Sequence, residues 1–262
     1  MVFSSHLFLY YFLPAALAVY YLLPARGRHL GLTVCSYAFY GWANPAFMGL
    51  MLLSTTIDYV CGAKLGEAGA ARGRPGPAQE HRRRRAWVTL SIVSNLSLLG
   101  FFKYFNFAVD AYSGVVEALG FSPGWPDLGL RVALPLGISF YTFQSMSYTI
   151  DIYRGRSRPL ANFVDFACYV SMFPQLVAGP IIRFSELQDQ LKERTHTFEK
   201  FARGVVFFSL GMAKKVLLAN PCGFVADAAF DAASRHPLEA WTGALAYAFQ
   251  IYFDFSGYSD MA

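Results

Sequence analysis

The sequence predicts an all-α polytopic membrane protein, and three observations carry that expectation. Only 15% of the 262 residues are charged while 55% are hydrophobic, where soluble domains carry about 25% charged residues. The apolar residues fall in long segments separated by short basic loops, and the mean hydropathy is +0.34. The stretch FVDFACYVSMFPQLVAGPIIRF, residues 163–184, is apolar enough for a bilayer yet is interrupted by Pro174 and Gly179–Pro180. Proline removes a backbone donor and clashes with the preceding turn. Non-helical backbone survives at membrane depth only where protein or a water-filled cavity covers it. Residues 163–182 are therefore expected to be a re-entrant segment lining an internal cavity.

Leu7–Leu23 is about long enough to cross a hydrocarbon core. Tyr10, Tyr11, Tyr20 and Tyr21 cluster towards its ends, where amphipathic rings settle. It has no basic stretch ahead and no small-residue cleavage site behind, so it reads as a retained span rather than a leader. Leu30–Cys61 is broken at Trp42–Ala43–Asn44–Pro45 and predicts two short helices, with Asp58 near the end of the second. Residues 62–85, rich in Gly, Ala, Arg and Pro, read as a cytoplasmic basic loop ending in Arg82–Arg85. A nucleic-acid footprint needs a folded basic face with aromatics for stacking. This run between apolar segments reports topology instead, and no nucleic-acid partner is expected.

Ala86–Phe107 is the next span, with Lys103 snorkelling among Phe101, Phe102, Tyr104 and Phe105. Residues 109–121 predict a further helix, interfacial or spanning, and 122–129 a loop. Leu134–Ile152 crosses again with unusual polar content: Ser139, Thr142, Gln144, Ser145, Ser147, Tyr148 and Asp151. Gln144, Ser147 and Asp151 share a helical face. Such a face lines a cavity or makes interhelical hydrogen bonds. Asp151 beside Arg154 suggests an interfacial ion pair.

Residues 185–203 mix both charge signs, as a solvated surface helix does. Residues 204–219 re-enter the membrane carrying Lys214 and Lys215, and Asn220–Pro221 ends that element. Adjacent lysines cannot share a helix face, so one snorkels and the other reaches a polar cavity. Leu238–Tyr252 is the last span, followed by Asp254, Ser256 and Asp260. Loops 24–29, 62–85, 153–162 and 183–203 carry the positive charge and are placed inside, with the N-terminus outside. The four cysteines show no CxxC spacing, so neither a metal site nor a disulfide framework is expected.

Five stretches carry a resemblance: LPLGISFYTFQSMSYTIDIYRG (134–155), FPQLVAGPIIRF (173–184), QIYFDFSGYSDMA (250–262), FKYFN (102–106) and KKVLLANP (214–221). They resemble the membrane-bound O-acyltransferase family, in its alginate O-acetyltransferase branch, as the N-terminal part of one membrane domain spanning residues 1–262. The resemblance implies a multi-helix transmembrane bundle with re-entrant helices around a central funnel, set in a bacterial inner membrane. It implies transfer of acetyl from a cytosolic donor, acetyl-CoA, to an exopolysaccharide such as alginate or to a periplasmic acetylation protein. It also implies a membrane histidine acting as general base, with a pKa suited to neutral pH. That histidine follows the stretch resembling residues 250–262, so it is expected beyond Ala262, and no catalytic residue is assigned among His6, His29, His81, His196 and His236.

The resemblance implies that these motifs wall the funnel, without individual roles, and Gln144, Gln175, Arg183 and Lys214 are the candidate funnel residues within them. Arg183 suits a donor phosphate at the cytoplasmic mouth, or serves as a topology anchor. Gln175 follows Pro174 and suits a structural hydrogen bond to a freed carbonyl. Broken helices with midplane polar groups also suit a transporter or flippase, although no internal repeat is visible. A non-catalytic assembly subunit for exopolysaccharide export is the remaining alternative.

Overall fold

The computed structural model describes residues 3–42, 45–70, 77–121, 131–176, 179–180, 182–192, 194–232 and 236–262. Among them there is no β-strand. Two helices are long and apolar enough to cross a membrane, Pro45–Glu67 and Ala78–Ala118, and Phe8–Leu22 is a shorter apolar helix. The chain packs as two units. The first comprises Met1–Ala43, Ser171–Ile181 and Asp189–Ala262, the second Asn44–Val170 and Ile182–Gln188.

The first unit opens with a π-helical turn, Phe8–Phe12, running into α1, Leu13–Leu22. After a short turn, α2 spans Arg28–Gly41 and packs beside α1. Here Phe3, Phe8, Ala16, Phe39 and Phe173 form a buried cluster, with the Phe3 and Phe8 rings 4.6 Å apart and Phe12 edge-on to Phe173 at 5.2 Å. The same unit holds α7 (Phe173–Leu176), α9 (Phe198–Ala213), α10 (Asn220–Asp231) and α11 (Pro237–Met261). Helix α11 packs against both α9 and α10.

The second unit contains α3 (Pro45–Ala70), α4 (Pro77–Ala118), α5 (Ile138–Tyr153), α6 (Phe163–Ser171) and the start of α8 (Phe184–Lys192). Helices α3, α4 and α5 pack against one another pairwise. Gly137, at φ 74°, lets the chain turn sharply into α5. Aromatic stacking seals the α5–α6 contact, with the Tyr148 and Phe166 rings 4.3 Å apart.

Several expectations need correction. Around the expected break at 42–45, α2 ends at Gly41 and Pro45 is the first residue of α3, where its missing N–H costs nothing; Ala43 and Asn44 lie outside the described residues. The second half is not short, because α3 runs for 26 residues. Within the expected loop 62–85, α3 continues to Ala70 and α4 begins at Pro77, and residues 71–76 lie outside the described residues. Alanine and arginine are strong helix formers, so that composition never opposed a helix. Within it Arg84 donates to the carbonyls of Ile152 and Tyr153, at 3.2 and 2.8 Å, capping the C-terminus of α5 where a cation is favoured. The separate helices expected at 86–107 and 109–121 are one, the 42-residue α4. The loop expected at 122–129 lies outside the described residues.

The stretch 163–182 is broken, but at Met172, two residues before its first proline. Pro174 is the second residue of α7. The Phe173 N–H, which has no helical partner, donates to Ser36 Oγ at 3.1 Å. The surface helix expected at 185–203 is two helices, α8 and α9. Thr197 caps the second by accepting from the Lys200 N–H at 3.2 Å. Pro221 does not end its element. The chain widens into a π-helical segment, Lys214–Ala219, and continues as α10, with the Asn220 N–H reaching back to the Lys215 carbonyl. That wider turn takes up the proline without ending the helix. Helix α11 continues past the expected end at Tyr252 to Met261, so Asp254, Ser256 and Asp260 lie on it rather than after it.

Candidate functional site

Each unit gathers polar side chains inside an apolar helical setting, by different means. In the second unit the hub is Asp58, fully buried on α3. Ser91 Oγ donates to its Oδ1 at 2.6 Å, and Asn95 Nδ2 approaches Oδ1 and Oδ2 at 2.9 and 2.7 Å. Ser145 Oγ donates to Oδ2. Ser54 donates to Asn95 Oδ1 at 3.1 Å, and Ser91 lies 2.9 Å from Thr149 Oγ1. Every member is buried. The knot uses three polar pairs spaced i, i+4: Ser54 and Asp58 on α3, Ser91 and Asn95 on α4, Ser145 and Thr149 on α5. That spacing puts each pair on one face of its helix, and the three faces converge. A buried carboxylate stripped of water needs such donors. The sequence reading noted Asp58 only in passing, and the repeated spacing is the signal that would have found it.

One layer along α5, Gln144 Nε2 donates to the Tyr169 carbonyl at 2.7 Å. Tyr169 Oη lies 3.0 Å from Ser147 Oγ and donates to the Ile182 carbonyl at 3.1 Å. Asp151, expected to pair with Arg154, is buried and accepts from the Ser185 N–H at 3.3 Å. A side-chain acceptor serves the first N–H groups of α8, whose donors have no helical partners. The polar face of α5 thus holds α6 and the start of α8 through hydrogen bonds. Arg183 is exposed just before α8.

In the first unit the polar groups are charged. Lys214 Nζ donates to Asp260 Oδ2 at 2.6 Å and to Ser256 Oγ at 3.0 Å. Lys215 Nζ lies 2.7 Å from Asp254 Oδ1. The lysines sit in the π-helical segment and the carboxylates on α11. The two elements approach closely because Gly211 faces Gly257: a Cβ on Gly257 would lie 2.7 Å from the Gly211 carbonyl oxygen. Both lysines are therefore paired, where one was expected to snorkel. A cavity of about 360 Å³ opens beside this seam, lined by Phe3, Ser4, Lys215, Asp254, Phe255 and Tyr258 among others. An apolar chamber with one ion pair in its wall can bind an uncharged group and orient a polar one.

The four funnel residues fall on both units. Gln144 and Arg183 belong to the second, Gln175 and Lys214 to the first. Gln144 and Lys214 are tied into the hydrogen-bonded sets above, and Gln175 is buried on α7. Lys215 and Asp254, which sequence reasoning did not single out for the site, line the cavity. Among the described residues no three His, Cys, Asp or Glu side chains cluster to hold a metal.

Residues 154–262 match the model of the membrane-bound O-acyltransferase family. Over all 262 residues the chain is 47% identical to the probable alginate O-acetylase AlgI of Azotobacter vinelandii, covering 50% of that protein. It is 44% identical to the probable alginate O-acetylase AlgI of Pseudomonas aeruginosa, covering 48%. It is 32% identical, over 295 aligned positions, to the peptidoglycan O-acetyltransferase of Helicobacter pylori, covering 53%. The chain spans about half the length of the curated relatives it matches.

Proposed function

We propose that the protein takes part in membrane O-acetyl transfer to an extracytoplasmic polysaccharide, since residues 154–262 match the model of the membrane-bound O-acyltransferase family. The observation that carries this reading is identity of 47% and 44% to two probable alginate O-acetylases across every residue of the chain. Alginate is the first acceptor to try, with a periplasmic acetylation protein as an intermediate carrier and acetyl-CoA as donor. The setting is the bacterial inner membrane.

In this reading the acceptor hydroxyl oxygen attacks the thioester carbonyl carbon, the carbon–sulfur bond breaks, and coenzyme A leaves as its thiol. A histidine outside residues 1–262 takes the hydroxyl proton. Residues 1–262 supply walls. The cavity beside Lys215 and Asp254 receives the small acyl group or the acceptor. The exposed Arg183 offers a guanidinium to a donor phosphate.

The test uses the full-length protein in proteoliposomes with radiolabelled acetyl-CoA on one side and alginate oligosaccharide on the other. Label appearing in the oligosaccharide supports the proposal. Movement of intact oligosaccharide across the membrane with no acetylation would overturn it in favour of a transporter.

A further inference from the structure

Helices α1 and α9, both in the first unit, border a feature that the acetyl-transfer reading does not use. Two grooves share one wall formed by Leu13, Leu17, Tyr21, Phe208 and Met261. Their volumes are about 320 and 530 Å³. One end of the pair is basic. Arg194 borders the first groove, and His196 and Lys200 border the second. Tyr20 gathers these groups: its Oη lies 2.8 Å from His196 Nε2 and accepts from Arg194 Nη1 at 3.5 Å. The Arg28 guanidinium stands 5.5 Å over the centre of its ring.

The partners of these cations are neutral. Arg194 also donates to the Gln190 carbonyl at 2.9 Å, and Lys200 to the hydroxyl and carbonyl of Thr195. Arg28 donates to the Leu23 carbonyl at 3.4 Å. Among the described residues, none of the three forms an ion pair with a carboxylate. Elsewhere in the same unit Lys214 and Lys215 are each matched to an aspartate, so among the described residues cations without a carboxylate partner gather at this mouth.

We propose that these paired grooves bind one anionic diacyl glycerophospholipid, with its phosphate among Arg28, Arg194, His196 and Lys200 and its two acyl chains along the wall shared by α1 and α9. Charge complementarity selects this occupant. An apolar trough alone would accept any chain, whereas a trough ending in three cations with no carboxylate partner among the described residues favours a ligand with apolar length and a negative head. Basic pockets between membrane helices on the cytoplasmic side hold anionic headgroups in this way. The loops carrying Arg28 and Arg194 are those that the positive-inside rule places on that side.

The test is native mass spectrometry of the full-length protein, delipidated in detergent. Phosphatidylglycerol and phosphatidylcholine with identical chains are added separately, and inorganic phosphate and acetyl-CoA are added as competitors. Retention of phosphatidylglycerol is expected to exceed that of phosphatidylcholine by roughly tenfold, since each cation near an anionic lipid surface contributes several-fold. The double variant Arg194→Gln/Lys200→Gln removes that preference. Gly204→Leu abolishes retention of both lipids, because Gly204 lines the larger groove and a Cβ there meets nothing within 4 Å. Helix content unchanged by circular dichroism shows that both variants remain folded. Equal retention of the two lipids by the parent would overturn the proposal. So would a preference that survives the double variant, or displacement of the lipid by phosphate or acetyl-CoA at equal concentration.

Discussion

The two units solve one problem in opposite ways, namely how to keep carboxylates among apolar helices. In the second, Asp58 is fully buried and is satisfied by neutral donors from α4 and α5. In the first, Asp254 and Asp260 are partly exposed and are paired with lysines beside a cavity. The Asp58 knot gives one buried carboxylate three donor side chains, whereas the seam gives each carboxylate one lysine beside a cavity. A buried, multiply bonded knot suits holding three helices in register. A charged seam on a chamber suits meeting a ligand. We propose from this contrast that the Asp58 knot serves stability and the lysine seam serves the chemistry.

The largest predicted effect follows from breaking the knot. Asp58→Ala strands the donors of Ser91, Asn95 and Ser145 and should cost about 3 kcal/mol or more, read as a lowered midpoint of unfolding in detergent. Asp58→Asn keeps the shape but turns one acceptor oxygen into a donor facing donors, and should cost about 2 kcal/mol. If either variant unfolds at the parent's midpoint, the knot is not what holds α3, α4 and α5 together.

Next comes the helix contact that makes the seam possible. Gly257→Val places side-chain carbon against the Gly211 backbone, which cannot yield as a flexible side chain would. Overpacking of this kind costs about 1–3 kcal/mol. It should also part the π-helical segment from α11, seen as loss of a cross-link between cysteines introduced at 214 and 260. A cross-link that forms as readily in Gly257→Val as in the parent would show that the close approach is dispensable.

A smaller loss is expected at Tyr169→Phe, which removes the hydroxyl bridging Ser147 and Ile182. One buried hydrogen bond is worth about 1 kcal/mol. The smallest effect on stability belongs to the ion pair itself. Lys214 and Asp260 side chains are 35% and 27% exposed, so solvent screening limits their coupling to below about 1 kcal/mol in a double-mutant cycle of Lys214→Met and Asp260→Asn. A coupling several times larger would mean the seam is a structural lock like the knot, and the contrast would collapse.

What the sequence showed depended on how local each signal was. The chain break at Pro45 and the interruption inside 163–182 rest on proline's own geometry, and both appear, the second displaced to Met172. The polar face of α5 rests on one helix's periodicity, and of Gln144, Ser147 and Asp151 the first and last are buried and Ser147 half-buried. Asp58 was harder to see because its partners Ser91 and Ser145 lie 33 and 87 residues away. Only the repeated four-residue spacing on three segments hints that they meet. Asp254 and Asp260 fall after a span expected to end at Tyr252, whereas the helix continues through them to Met261. The loop expected at 62–85 failed for a different reason. Glycine and charge suggested a linker, while alanine and arginine propagated helix from both sides.

The most direct measurement compares acetyl transfer per folded molecule in Asp58→Asn and Lys215→Met, using the full-length protein in proteoliposomes with labelled acetyl-CoA. The division of labour predicts that Asp58→Asn lowers the folded fraction yet keeps parental turnover in what remains folded. Lys215→Met should fold to the same extent as the parent and lose on the order of tenfold or more in turnover, as removal of a positioning charge does. Full turnover in Lys215→Met, with the loss appearing instead in the folded fraction of Asp58→Asn, would contradict the assignment of chemistry to the lysine seam.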